Sequence, residues 1–119
     1  MDNPDIQLIR KETLFQGYFR VDRYTLRHRQ YSGEMGPEIM REVFERGHAA
    51  VCLPYDPIRD SVVLIEQFRP GPFAHGNEQC WMLEAVAGIL EENESPEELV
   101  HREGMEEAGC RFSALEHIF

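Results

Sequence analysis

The chain has 119 residues, 42% of them hydrophobic, enough for one core of modest size. Its 12 basic residues stand against 22 acidic ones, a formal net charge of −10 with pI about 4.9, so a polyanion is repelled and nucleic acid is not an expected partner. No apolar run approaches the roughly 18 residues of a spanning helix, so no membrane partner is expected. The opening MDNPDIQLIRKE lacks a basic region ahead of an apolar block, so no signal peptide is expected and the cytoplasm is the expected compartment.

The first segment, IQLIRKETLFQGYFRVDRYTLRHRQY, is rich in aromatic and β-branched residues and breaks at Gly17. Apolar and charged residues partly alternate from Phe19 to Leu26, as in a half-exposed strand. SGEMGP, residues 32–37, has turn chemistry. EIMREVFERG fits a strand or a short helix. A strand is favoured because Val43 and Phe44 lead straight into the next one.

AAVCLPY, residues 49–55, predicts a buried strand, DPIRD a turn, and SVVLIEQF the partner strand of a hairpin. RPGPFAHGNEQ, residues 69–79, is dense in Pro and Gly and predicts a loop. WMLEAVAG, ending at Gly88, predicts another strand, and SALEHIF the opening of one more. Strands early and a helix late predict an α+β fold.

The helix carries its own punctuation. Ser95-Pro96-Glu97-Glu98 is a capping box with Pro in the first turn, and Gly109 suits a left-handed stop, which predicts a helix over 96–108. At about 100° per residue, Arg102, Glu103, Glu106 and Glu107 share one side, while Val100, Gly104, Met105 and Ala108 fall largely opposite. The acidic side has two readings. It is a solvated face with an Arg102–Glu106 pair, or a site where oxygen ligands hold magnesium or manganese and a phosphate-containing substrate.

Cys52, Cys80 and Cys110 are widely spaced and read as small hydrophobes in a reducing compartment. The five histidines show no metal-ligand spacing and read as structural or surface residues.

From Gly88 the chain reads GILEENESPEELVHREGMEEAGC. Gly88, Glu94, Arg102-Glu103, Glu106-Glu107 and Gly109 are separated by five, seven, two and one residues, and apolar Cys110 follows. This segment, 88–110, resembles the Nudix box of hydrolases acting on a nucleoside diphosphate linked to another group. Gly104 departs from the aliphatic residue usual there. Residues 41–71 and 12–29 resemble the matching parts of bacterial ADP-ribose pyrophosphatases.

The resemblance implies a Nudix-type mixed sheet with a loop-helix-loop over 47–119, incomplete at its C-terminal end. Antiparallel strands over 1–46 would precede it and form a homodimer by exchange between subunits. It implies magnesium, or manganese, held by the Ala87 carbonyl, Glu103 and Glu107, with Glu106 supporting the site. Arg102 would orient the carboxylates and Glu94 would buttress the loop. Arg41, Glu42, Arg46 and Arg69 match positions lining an ADP-ribose site, and Tyr18 and Phe19 match a pair stacking on adenine from the neighbouring subunit. The implied reaction is hydrolysis of ADP-ribose to AMP and ribose 5-phosphate.

The family also places a further glutamate on a loop after these strands, and no residue up to Phe119 matches it. The expectation is therefore a truncated form with low activity. The competing expectations are a hydrolase for another nucleoside diphosphate derivative, such as a nucleotide sugar, and a non-catalytic nucleotide-binding or dimerisation module.

Overall fold

A computed structural model describes residues 3–119. The first two residues of the 1–46 segment lie outside the described residues. The chain forms two compact units, one ending at Arg46 and one running from Gly47 to Phe119. Strands and helices are both present, so the fold class is α+β, and every ladder among the described strands is antiparallel.

The first unit is a three-stranded sheet in the order β1-β2-β3, built from β1 (Ile6–Gln16), β2 (Arg20–His28) and β3 (Ile39–Glu45). The ambiguous EIMREVFERG is thus a strand over most of its length. It pairs with β2 from Arg20↔Glu45 to Leu26↔Ile39. Gly17 marks the β1–β2 turn, where its N–H donates to the Phe19 carbonyl at 2.8 Å. The β2–β3 connection folds back through Gly36 N–H to the His28 carbonyl at 2.9 Å.

This sheet buries polar groups. Asp22 is 0% exposed, and its carboxylate accepts from Thr13 Oγ1 at 2.9 Å and Arg20 Nε at 3.0 Å, with Lys11 Nζ at 3.3 Å. Burial alone would raise the pKa of Asp22, but hydrogen bonds from Thr13 and Lys11 and the charge of Arg20 outweigh it and hold the pKa low. The register of β1 slips twice, between Leu8 and Arg10 and again between Thr13, paired with Asp22, and Phe15, paired with Val21. The Thr13–Asp22 bond sits at the second slip.

The second unit has short strands: β4 (Ala49–Cys52), β5 (Tyr55–Asp56), β6 (Ser61–Val62), β7 (Ile65–Phe68), β8 (Trp81–Glu84) and β9 (Val86–Ile89). They pair as β4-β9, β5-β6 and β7-β8. Several expectations need correction. The 49–55 strand ends at Cys52 and is half exposed, because Pro54 interrupts the ladder and α2 covers only one side. The hairpin across DPIRD is confined to Tyr55↔Val62 and Asp56↔Ser61, since Ile65 onward pairs with β8 instead. The 69–79 loop contains a short helix, α1 (Pro70–Ala74), started by the proline at its first position. WMLEAVAG is two strands with different partners, broken at Ala85. SALEHIF forms no strand.

Helix α2 (Pro96–Ala108) has the expected bounds. Ser95 Oγ accepts from Glu98 N–H at 3.2 Å, Glu98 Oε2 accepts from Ser95 N–H at 2.8 Å, and Gly109 adopts φ 63°. Leu99, Val100 and Gly104 are its buried residues, and with Val86 and Cys80 they make the core of this unit. Met105 was expected on the packed side but is exposed. Gly104 answers a close approach, to a ring and not to a strand: an added Cβ would lie 2.5 Å from the Phe112 side chain. Phe112 folds back beneath the helix because Gly109 reverses the chain there.

Candidate active site

The face that α2 buries decides where its acids go. Leu99 and Val100 anchor the helix against β4 and β9, and Glu103 and Glu107, one turn apart, come to lie over β9. Gly88 makes room for the first: a Cβ there would lie 2.5 Å from Glu103 Oε1. The second is held at both oxygens. Glu107 Oε1 accepts from Gln67 Nε2 on β7 at 3.1 Å, and Oε2 accepts a long 3.4 Å bond from the Ala87 N–H.

Arg102 clamps the group from the loop side. Its Nε and Nη2 donate to the two oxygens of Glu94 at 2.7 and 2.9 Å, and its Nη1 donates to Glu103 Oε1 at 2.8 Å. Glu94 also accepts from the Glu91 N–H at 3.0 Å, which closes the loop ahead of the helix. These bonds, from Arg102 first and the Glu91 backbone second, hold the Glu94 carboxyl down to about 2. The same pair raises the Arg102 pKa further above its ordinary value. Glu106, 3.5 Å from Arg102 Nη1, is mostly exposed.

Arg69 follows β7, with its N–H on the Cys80 carbonyl at 2.8 Å. Its guanidinium makes three hydrogen bonds to Glu84 on β8, at 2.9 and 3.0 Å from Nε and 2.7 Å from Nη2. The pair raises the pKa of Arg69 and lowers that of Glu84, through the hydrogen bonds first in each case. Burial, followed by the charges of Glu107 and Cys110, pushes the Cys52 thiol up, which suits a protonated, unreactive side chain.

The second unit therefore gathers Ala87, Glu103, Glu107, Arg102 and Glu106, with Arg69 on the neighbouring ladder. In the first unit, Tyr18 and Phe19 lie edge to face at 4.9 Å, and Phe19 meets Phe44 the same way, also at 4.9 Å. Arg41 Nη1 donates to the Met40 carbonyl at 2.7 Å, Glu42 pairs with Arg23 at 3.0 Å, and Arg46 is exposed past the end of β3. Gln67 and Glu84 were missed by the sequence reading. Strand alternation would have put Gln67 on the face of Arg69, but nothing in the sequence pairs β7 with β8.

Among the described residues no three His, Cys, Asp or Glu side chains converge as a metal cluster. The donor set at α2 is two carboxylates beside the Ala87–Gly88 backbone. Such an all-oxygen set fits a hard cation that keeps several waters and takes its remaining ligands from a phosphate.

No family model matches the chain. Curated relatives do. The ADP-ribose pyrophosphatase of Escherichia coli strain K12 is 53% identical over 105 residues, 88% of this chain and 50% of the relative. That of Haemophilus influenzae is 36% identical over 115 residues, 95% of this chain and 53% of the relative. The GDP-mannose pyrophosphatase of Yersinia pestis is 39% identical over 114 residues, 96% of this chain and 57% of the relative. The chain spans about half the length of the curated relatives it matches. It is homologous to pyrophosphatases of nucleoside diphosphate derivatives. Within that class it belongs to the ADP-ribose pyrophosphatase (Nudix) family.

Proposed function

We propose that this chain takes part in magnesium- or manganese-dependent hydrolysis of the diphosphate of ADP-ribose, giving AMP and ribose 5-phosphate. One observation carries the reading: Glu103 and Glu107 lie side by side against Ala87–Gly88, braced by Arg102. The loop-helix-loop would be that of a Nudix-type sheet. A bound divalent ion would polarise the diphosphate and activate water. Glu103, Glu107 and the Ala87 carbonyl would hold it, and Glu106 would support them from the exposed side. Arg102 orients the Glu103 carboxylate through a charge-assisted hydrogen bond. The water oxygen would bond to one phosphorus as the bond from that phosphorus to the bridging oxygen breaks; the leaving phosphate keeps the bridging oxygen and the water's proton passes to solvent.

Arg69, Arg41 and Arg46 would bind phosphate and ribose oxygens, since guanidinium forks match them, and Glu42 would accept from a hydroxyl. Tyr18 and Phe19 would stack on adenine, and their exposed edge-to-face arrangement leaves ring surface for a purine. A homodimer through the β1-β2-β3 sheet would bring that pair to the partner's site. Its support is the apolar surface the sheet leaves exposed, including Leu8, Phe15, Met40 and Phe44. The cytoplasm is the proposed compartment. Among the described residues no helix is long and apolar enough to cross a membrane.

The Yersinia relatives favour a second reading, a nucleotide sugar such as GDP-mannose as substrate. Calorimetry with magnesium and each of the two compounds, beside an assay for released nucleoside monophosphate, separates the readings. Tighter binding and faster release with ADP-ribose are expected. Binding without release favours a non-catalytic module, and binding of neither compound contradicts the proposal.

A further inference from the structure

Arg69 and Glu84 lie on the two sides of the β7–β8 ladder. Side chains alternate along a strand, so Ile65, Gln67 and Arg69 share one face, and Glu84, paired with Ile65, shares it too. Gln67 is bonded to Glu107 from that same face, and the charge of Glu107 is felt at Arg69. Arg69 thus extends from the face on which Gln67 reaches Glu107. Its three bonds to Glu84 all use Nε and Nη2.

We propose that Glu84 is a positioning residue for Arg69: it grips the Nε–Nη2 edge of the guanidinium, fixes its plane, and turns the Nη1 edge to a diphosphate oxygen of the substrate. The inference rests on the proposed function, in which Arg69 meets the diphosphate. An arginine side chain is long and loses much rotamer freedom when it binds. Holding it in place beforehand spares that loss at the moment of binding. The grip does not exhaust the cation, because a guanidinium carries five N–H donors and Glu84 engages one edge. An ordinary surface ion pair would add little to stability and nothing to ligand affinity.

The test compares the wild-type chain with Arg69→Ala, Glu84→Gln and Glu84→Asp. Calorimetry measures ADP-ribose with magnesium and, separately, adenosine, which has no phosphate. Melting temperature checks the fold, and the Arg69 Nε–H resonance reports the grip without any ligand. Glu84→Gln is expected to weaken ADP-ribose about 10-fold, as loss of a supporting residue does. Adenosine binding and melting temperature should stay unchanged, Glu84→Asp should recover part of the loss, and the sharp Nε–H signal should vanish in Glu84→Gln. If Arg69→Ala weakens ADP-ribose while Glu84→Gln binds it like wild type, the positioning role is wrong and the proposed function stands. If Arg69→Ala has no effect, or wild type binds no ADP-ribose, the underlying reading of Arg69 fails and takes the inference with it.

Discussion

The two units solve the problem of a small core in opposite ways. The first has strands of 11, 9 and 7 residues in one three-stranded sheet, yet its buried side chains are Asp22 and Thr25, while Leu8, Phe15, Met40 and Phe44 are exposed. The second has strands of only two to four residues, yet it buries Val86, Cys80 and, from one well-capped helix, Leu99 and Val100. Long ladders with a polar interior are specified by hydrogen bonds and leave apolar surface for something else. Short ladders around an apolar helix are specified by burial, and their polar edge is available for chemistry. The acids of α2 are usable because the apolar anchor beside them fixes their position.

The largest expected effect tests that anchor. Leu99→Ala removes a side chain with no exposed surface and should cost about 2–5 kcal/mol. Denaturant unfolding measures the loss, and amide exchange should accelerate across residues 47–119 first. Equal acceleration in β1-β2-β3 would break the contrast between the units.

Gly88→Ala sharpens it from the other side. The new Cβ would meet Glu103 Oε1 at 2.5 Å, and the carboxylate, a flexible tip, must swing away. Divalent-ion affinity should fall about 10–100-fold, as for other disturbed ligand positions, with little change in melting temperature. A titration that shows unchanged affinity would put the ion elsewhere.

Ser95→Ala removes the acceptor for the Glu98 N–H and should cost about 1 kcal/mol. The smallest effect is the pH dependence of the loop before α2. The folded pKa of Glu94, about 2, lies below the usual 4.5, so the Glu94–Arg102 pairing stabilises fully above the usual value and is lost as pH falls through about 2. Acid titration of the Glu91 amide signal should show this, and Glu94→Gln should flatten it.

Local chemistry was legible in the sequence where it was self-contained. The cap at Ser95 and the stop at Gly109 are each written within four residues, so the bounds of α2 could be read directly. The β1–β2 turn at Gly17 was legible for the same reason. What was hidden depends on partners distant along the chain. Nothing near Ile65 says that it pairs with Glu84 and not with β4, so the extended hairpin was misplaced and the Arg69–Glu84 pair was missed. The apolar stripe of α2 suggested that Met105 would be buried, but Leu99, Val100 and Gly104 fill the contact and leave it outside. Gly104 made sense only once Phe112 was seen against it. The spacing of the acids showed that they share a helix side. Their position over Ala87 and Gly88 needed the sheet.

The most direct test of the account is the paramagnetic effect of manganese on backbone amide signals. Bound manganese should broaden the signals of Ala87, Gly88, Glu103 and Glu107 before any others, and the double variant Glu103→Gln, Glu107→Gln should abolish that broadening. Broadening that persists in the double variant, or that centres on a different acidic stretch such as Glu91–Glu92, would contradict it.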